Sequence, residues 1–229
     1  MILHGIARDM RTELASPSLR LGLIAYGKLD ETSGTTARDD SDHHHHAALQ
    51  RATFEQVKVQ GKIDNAVHLT GNSFLEVPDH AHFRFIQMTL HAWVKPEASQ
   101  HCDAHIISTV GRFALAMPRN QALKNYFWEV DREVDRPLSH HERVNLCATF
   151  AGIMRRFYVA GVRFASILSP QTPVVLDKPL FIGALRISGG AARLFQGTIN
   201  DVRISLRALS DNEACLLHLS ASASPTSLH

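Results

Sequence analysis

The stretch from Val144 to Ser166, VNLCATF-AG-IMRRFYV-AG-VRFAS, constrains the fold more than any other. Three short apolar or alternating runs are separated there by two Ala-Gly pairs. Turns this short join antiparallel strands, because a parallel crossover needs a dozen or more residues. Alternation places Phe157 and Val159 on one side of a strand and Arg156 and Tyr158 on the other, so we expect one buried face and one solvated face.

The two Ala-Gly pairs are the turns of this predicted meander. Gly152 and Gly161 supply the conformational freedom that tight turns require. Because alanine tolerates a positive φ poorly, we expect only Gly161, and not Ala160, to be left-handed in the second turn.

Strand-like segments bounded by turn residues continue on both sides of the meander. They are LGLIAYGKLDE, AVHLTG, SFLEVPD, MTLHAWVKP, HIISTV, RFALAM, NYFWEVDREV, PLFIGAL and FQGTINDVRISLRAL. No helical pattern between them is long enough for a parallel crossover. The sequence therefore predicts an all-β sandwich of two antiparallel sheets.

Helical patterns lie only at the two ends of the chain. Apolar residues recur every fourth position at the start of the chain, at Ile2, Ile6, Met10 and Leu14. This spacing predicts a short amphipathic helix that ends at Ser16-Pro17-Ser18. The helix either docks on a partner, packs on its own domain or frays.

Near the other end, Ser210 and Glu213 have capping-box spacing ahead of an apolar run, and the tail SASASPTSLH has the composition of disordered chain. We therefore divide the chain into an N-terminal helical segment (1–20), one β domain (21–219) and a disordered tail (220–229).

Composition excludes several classes of function. The 229 residues carry 24 basic and 22 acidic side chains, a net charge of +2 without a long block of one sign, which gives no footprint for nucleic acid. No apolar run approaches the roughly 20 residues that span a bilayer, so no membrane insertion is expected.

Cys102, Cys147 and Cys215 form no disulfide framework. The first 14 residues lack a secretory signal, although removal of an earlier leader stays open.

Several segments, taken in order, resemble the bacterial laminin-G-like, concanavalin A-like jelly rolls. They are GLIAYGKLDETSGTTARD, AVHLTGNSFLEVPD, MTLHAWVKPE, FYVAGVRFAS, PLFIGAL and FQGTINDVRISLRALSDNEACLLH. The strongest are AWVKP at Ala92–Pro96 and NDVRISLRALS at Asn200–Ser210. The resemblance implies two antiparallel sheets of about six or seven strands each, packed face to face, with one concave face open to ligand. The helical patterns at the two chain ends add one short helix to each end of this jelly roll.

The resemblance also implies a structural calcium ion. In similar domains an acidic residue near the first strand and another on the last long strand often hold one, and the matching positions are Asp39 and Asp201. Two carboxylates with loop carbonyls and water can supply the six to eight oxygens that calcium takes. The alternative is a pair of solvated carboxylates, and Asp30, Asp40 and Asp42 are further candidates.

Four consecutive histidines, His43 to His46, follow Asp39, Asp40 and Asp42. Imidazoles and carboxylates bind zinc, nickel or copper, but four adjacent side chains cannot all reach one ion from a regular strand. A transition-metal site and a solvated loop are both open.

Glu129, Asp131 and Glu133 have the E-x-D-x-E spacing of the laminarinase-type glucanases. Period-two geometry puts the three carboxylates on one strand face. In the enzymes that the motif resembles, the first Glu is the nucleophile, the Asp assists and the last Glu is the acid/base. The alternatives are a charged solvent face and an acidic ligand-binding patch.

The weak catalytic signal favours a non-catalytic recognition module that binds a glycan or a protein surface, as part of an extracellular, phage or cell-surface assembly. A laminarinase-type glycosidase using Glu129, Asp131 and Glu133 is the enzymatic alternative. A purely structural module is the third.

Overall fold

Two antiparallel sheets stack face to face in the computed structural model. The structure describes residues 17–62, 64–84, 86–98, 100, 103–118, 123–127, 130–134, 138–140, 142–170, 177–187 and 190–220, with the backbone alone for 125–127 and 130–134. The strands are β1 Leu23–Gly27, β2 Thr36–Ala37, β3 Ala47–Gln50, β4 Lys58–Gln60, β5 Asn65–Thr70, β6 Phe74–Val77, β7 Gln87–Pro96, β8 Ala104–Thr109, β9 Phe113–Met117, β10 Leu123–Phe127, β11 Val130–Val134, β12 Val144–Ala151, β13 Met154–Val159, β14 Val162–Leu168, β15 Leu180–Ile182, β16 Leu185–Ile187, β17 Gly190–Ala192 and β18 Gln196–Ser205. The helices are α1 Pro17–Arg20, α2 Phe54–Val57, a 3₁₀ turn Ala81–Phe83 and α3 Asp211–Ser220.

The first sheet has the order β14-β13-β12-β7-β18-β5-β4, with β1 also paired to β18, and the second has the order β11-β10-β9-β8-β15-β6-β3-β2. A separate hairpin joins β16 and β17. All pairings between named strands are antiparallel, so the predicted sandwich is confirmed, as is the meander, which forms β12, β13 and β14.

The main core lies between the two sheets. Alternate residues of β7 (Met88, Leu90, Ala92 and Val94) point into it, and Leu115 of β9 faces them from the second sheet. All five are at most 1% exposed. Burial of large aliphatic side chains is worth roughly 1.5–3 kcal/mol each, which makes this layer the main source of stability.

The opposite face of the first sheet is also buried, contrary to the expected solvated face of the meander. Helix α3 covers it: Tyr158 is 0% exposed and its hydroxyl donates to Asp211 at 2.9 Å. Trp93 is buried on this same side, where its ring stacks on His218 with centroids 5.3 Å apart. Alternation along β13 shows which residues share a face, but a helix that begins 53 residues after Tyr158 decides what covers that face.

The second meander turn differs from its prediction, because Ala160 (φ 51°) and Gly161 (φ 74°) are both left-handed. Two residues join Val159 to Val162, and the mirror-image turn matches the right-handed twist of paired strands. This fit offsets the roughly 1 kcal/mol that a left-handed alanine costs. A Cβ at Gly161 would lie 2.9 Å from the Cβ of His218, so glycine also allows α3 to pack closely.

The chain ends are described only in part. The predicted N-terminal helix and partner-docking stripe lie in 1–16, outside the described residues. Of the predicted disordered tail, 220–229, only Ser220 is described, and it is the last residue of α3. Helix α1 starts at Pro17, a residue suited to a first helical position. The Ser210–Glu213 capping box is confirmed, since Ser210 N donates to Glu213 Oε2 at 2.9 Å and Glu213 N donates to Ser210 Oγ at 3.3 Å.

Two further features of the described chain bear on the sequence-based predictions. None of its helices combines the length and the hydropathy needed to cross a bilayer. Cys147 and Cys215 are free thiols, and Cys102 lies outside the described part of the chain.

Gly197 provides a test of the register between β7 and β18. It has φ +138°, and a Cβ there would clash with the Lys95 carbonyl oxygen and lie 2.9 Å from Pro96 Cα, whereas at Gly190 (φ +150°) a Cβ would meet nothing within 4 Å. We expect Gly197→Ala to lower the free energy of unfolding by about 2 kcal/mol more than Gly190→Ala, measured by urea denaturation. Equal losses would mean that β7 and β18 do not approach each other as described.

Candidate functional site

The outer face of the second sheet, the face turned away from the first sheet, carries a cavity of about 710 Å³. It lies over β8, β9 and β15, beside the β16–β17 hairpin. We call it the outer cavity. Ala114 and Ala116 of β9 and Phe181 of β15 line its floor.

Small residues and an overlying hairpin create this space. In β9, with the sequence FALAM, Ala114 and Ala116 alternate with Phe113, Leu115 and Met117, which belong to the inter-sheet core. The small side chains therefore point outward and leave room above the sheet. At one side Phe74, Phe181 and Ala184 form a small apolar cluster, against which Ala191 and Leu194 pack.

Cationic side chains surround the outer cavity. Lys124, Lys178, Arg186 and Arg193 line it, whereas Asp177 is the one carboxylate among its described lining residues. Most of these charges meet a partner at the rim. Arg193 Nη1 lies 3.3 Å from Asp103 Oδ2, Arg186 Nη1 lies 3.7 Å from Glu76 Oε1, and Asp177 Oδ1 lies 2.5 Å from Arg84 Nη2. Four cationic side chains and one carboxylate therefore line the cavity, and Asp103 and Glu76 beside it pair with Arg193 and Arg186.

His105 of β8 lies in the cavity wall and is only 7% exposed. Its Nδ1 has no hydrogen-bond partner among the described residues. Burial, with Arg193 and Lys124 nearby, lowers the pKa of His105 to about 3, so the ring is neutral at pH 7. A neutral imidazole offers a bound molecule one polar atom without adding to the positive charge.

The predicted acidic strand lies at the edge of this same sheet. Glu129 is outside the described residues, whereas Asp131 and Glu133 belong to β11, paired with Tyr126 and Lys124 of β10. The ladder through Glu133 continues over Lys124 and Ala116 to His105. The backbone register therefore places Glu133 in the same cross-strand ladder as residues that line the cavity. The catalytic and binding roles predicted for the three acidic residues stay predictions.

Asp39 is buried and its carboxylate is surrounded by donors. Oδ1 accepts from Tyr26 N (2.7 Å) and Ser41 N (2.9 Å), and Oδ2 accepts from Ser41 Oγ (2.7 Å) and His45 N (2.7 Å). Burial opposes ionisation, but the hydrogen bonds from Ser41, Tyr26 and His45 outweigh it and lower the pKa of Asp39. Asp39 therefore ties the loop between β2 and β3 to β1.

Asp201 forms a bulge in β18. It is 2% exposed, has φ 50°, and its N–H donates to the Lys28 carbonyl at 3.1 Å. Its Oδ1 accepts from Nη2 of Arg203 at 3.0 Å, and that guanidinium stacks 4.2 Å from the centroid of the Tyr26 ring. Asp39 and Asp201 are thus both linked to Tyr26. Asp39 accepts from Tyr26 N, and Asp201 pairs with Arg203, which contacts the Tyr26 hydroxyl and ring.

The two carboxylates differ in the room that they leave for a calcium ion. Four N–H and O–H groups already point at Asp39, whereas Asp201 pairs with Arg203 through Oδ1 and its buried Oδ2 has no partner among the described residues. Calcium needs oxygens in the directions that the donors to Asp39 occupy. The calcium prediction stays untested, and titrating calcium into metal-stripped protein while following the unfolding midpoint tests it.

Sequence reasoning missed most of the outer cavity. Lys124, Arg193 and His105 are separated by many residues and meet only in the folded sheet. The alternation of large and small residues in RFALAM was a usable signal, because alanines on the outer face of a strand leave room above it.

The fold is that of lectin-like β-sandwiches, and several solved structures share it. Domain 4 of AbnA, a GH43 extracellular arabinanase from Geobacillus stearothermophilus, solved with arabinotriose, matches with a TM-score of 0.68 and 16% identity, over 86% of this chain and 98% of that one. The binding domain of Paraclostridial Mosquitocidal Protein 1 matches with a TM-score of 0.69 and 14% identity, over 90% and 54% of the two chains. Trypanosoma rangeli sialidase in complex with sialic acid matches with a TM-score of 0.65 and 17% identity, over 88% and 33%. At these identities the likeness establishes the fold alone.

The sequence itself identifies the family. The model of the concanavalin A-like lectin/glucanases superfamily matches residues 69–215, more than half of the chain. The chain belongs to this superfamily, which confirms the resemblance found in its motifs. No curated protein matches the sequence.

Replacing Asp39 tests its role as a hydrogen-bonding hub. We expect Asp39→Ala to lower the free energy of unfolding by about 2–4 kcal/mol, because it leaves buried donors unpaired. The matched control is Asp40→Ala, which removes a partly exposed ion pair with Lys28 and should cost less than about 1 kcal/mol. Urea denaturation at pH 7 measures both, and similar losses for the two variants would contradict the assignment.

Proposed function

We propose that this chain is a non-catalytic recognition module that binds an acidic glycan in the outer cavity. The observation that carries the proposal is the combination of cationic side chains at the wall with small and apolar side chains on the floor. Carboxylate-bearing sugars such as sialic and uronic acids match this combination, since they present one anionic group on a body with apolar C–H faces.

Charge complementarity favours an anionic over a neutral sugar. Arg193 and Arg186 present guanidinium groups that suit a carboxylate, and Lys124 adds an ammonium group with only 15% of its side chain exposed. Partial burial strengthens these contacts relative to those of surface charges. The ligand's carboxylate would compete with Asp103 for Arg193 and Lys124, so the expected affinity is moderate.

The structural neighbours support a glycan as the ligand class. Domain 4 of AbnA was solved with arabinotriose and is matched over nearly its whole length, so a single domain of this fold binds a saccharide there. The sialidase was solved with sialic acid, and this chain spans about a third of it. A binding domain of botulinum neurotoxin in complex with SialylT shares the fold too, with a TM-score of 0.65.

A charge-removal experiment tests the proposal. We expect the wild-type protein to bind sialyllactose or a glucuronic acid oligosaccharide more tightly than lactose or arabinotriose, and Lys124→Ala to weaken the acidic-glycan binding about tenfold by isothermal titration calorimetry. Binding should also weaken as salt rises, because part of the attraction is electrostatic.

The matched control for that experiment is Lys58→Ala, which removes an equal charge from exposed β4 in the first sheet. Equal effects of the two variants would move the site away from the outer cavity. Equal binding of neutral and acidic glycans would refute the charge preference. Absence of binding to every glycan would leave a protein-binding or structural module.

The glycosidase alternative has its own test, motivated by the position of β11 at the edge of the cavity-bearing sheet. We expect no reducing sugar to be released from β-1,3- or mixed-linkage glucan, by the wild type or by Glu129→Gln. Release by the wild type that Glu129→Gln abolishes would show a retaining glycosidase and contradict the non-catalytic assignment.

A further inference from the structure

Three histidines from two separate segments converge beside the 3₁₀ turn. His43 and His45 belong to the loop between β2 and β3, and His82 belongs to the turn. One nitrogen of each can be chosen so that all three lie within 4.8 Å of one another. We call these three residues the histidine cluster.

The closest contact within the cluster joins the two segments. His45 Nε2 lies 3.0 Å from His82 Nδ1, and the rings of His43 and His82 have centroids 4.5 Å apart. Tetrahedral zinc, with Zn–N bonds of 2.0–2.1 Å, holds its ligand atoms about 3.3 Å apart. His45 and His82 therefore already have the spacing of two ligands of one ion, and His43 needs only a small side-chain movement to become the third.

Both segments are held in place by groups outside the cluster. The Asp39 carboxylate accepts from His45 N, and Ser41 Oγ accepts from His43 N at 3.2 Å. On the other side, Phe83 is 1% exposed, contacts the His45 ring at 4.9 Å between centroids, and its carbonyl accepts from buried Arg112. The arrangement differs from a flexible polyhistidine loop, because the backbone on both sides is fixed before any ion binds.

A fourth histidine, His80, flanks the cluster. Its ring centroid lies 4.2 Å from that of His82 and 4.6 Å from that of His45. His80 stays outside the set of three, and its Nδ1 accepts from His82 N at 3.2 Å and so orients the turn.

We propose that His43, His45 and His82 form a binding site for a divalent transition-metal ion of the zinc type. Three imidazole nitrogens leave a fourth position on the solvent side, where His43 is exposed, for water or for a group of a bound molecule. The ion takes the place of the proton in the hydrogen bond between His45 and His82, and the ring that donated it carries its N–H on its other nitrogen instead. This site uses no residue of the outer cavity and does not depend on the proposed glycan binding.

Zinc titration of the whole chain tests the site, with His82 as the decisive residue because it lies outside the run of four histidines. We expect isothermal titration calorimetry with zinc chloride to give one tight site in the wild type. Binding should weaken at least about tenfold in His45→Ala and in His82→Ala. His44→Asn is the matched control, because His44 has φ 56°, a conformation that asparagine tolerates, and it lies outside the cluster. It should bind zinc as the wild type does.

Two results would overturn the proposal. If His82→Ala binds zinc like the wild type, the histidine run acts alone as a flexible chelator and the built site does not exist. If the wild type shows no site tighter than that of His45→Ala, the cluster is not a metal site.

A second readout guards against misfolding of the variants. The unfolding temperature of each is measured first without metal, and His82→Gln serves where His82→Ala fails to fold. Zinc should raise the unfolding temperature of the wild type and of His44→Asn but not that of His82→Gln, because an ion that binds only the native state stabilises it.

Discussion

The structure depends on the connection that the last long strand makes with the beginning of the domain. Strand β18 pairs with β7 on one side, and on the other side with β5 and then with β1. The bulge at Asp201 lies where β18 changes from one neighbour to the other. There the guanidinium of Arg203 contacts both Asp201 and the Tyr26 hydroxyl, and Tyr26 N donates to Asp39. This short series of contacts joins Asp39 to Asp201, two residues that are 162 positions apart in the sequence.

The same contacts place the loops that could bind ligands. Asp39 accepts hydrogen bonds from Tyr26 N of β1 and from His45 N of the loop that carries His43 and His45. The same carboxylate therefore stabilises the first sheet and positions the histidine cluster. On the outer face of the second sheet, the ion pair between Arg84 and Asp177 links the segment that follows His82 to the wall of the outer cavity. The outer cavity thus lies over strands, and the histidine cluster lies on connections that a packed scaffold holds in place, as binding groups often do.

The sequence predicted the features that local patterning determines. The meander β12–β14, the capping box at Ser210 and the two-sheet sandwich all follow from alternation, turn residues and spacing, which act over a few residues. The left-handed Ala160 was not predicted, because its cost is offset by the strand twist around the turn and not by anything local to alanine. The burial of Tyr158 was missed since a period of two shows which residues share a face but not which helix covers it.

The candidate sites were predictable only in part for the same reason. The histidine run pointed to metal chemistry, but the residue that would make it a built site, His82, lies 37 positions from His45. In the structure Asp39 and Asp201 both lie near the junction of β1 and β18, and calcium binding by the pair stays a prediction. Whether such carboxylates face a cation or N–H donors depends on groups such as Tyr26 and Arg203, which the motif does not specify. Residues of four strands and a hairpin line the outer cavity, so no single segment of the sequence shows where its charged side chains meet.

We propose that the outer face of the second sheet is the ligand-binding surface. Mapping backbone amide chemical shifts of ¹⁵N-labelled protein during a titration with sialyllactose tests this proposal most directly. We expect the largest changes on Ala114, Ala116, Lys124 and Arg193, with β12–β14 unaffected. Changes centred on β12–β14 or on the β4 edge of the first sheet would contradict it.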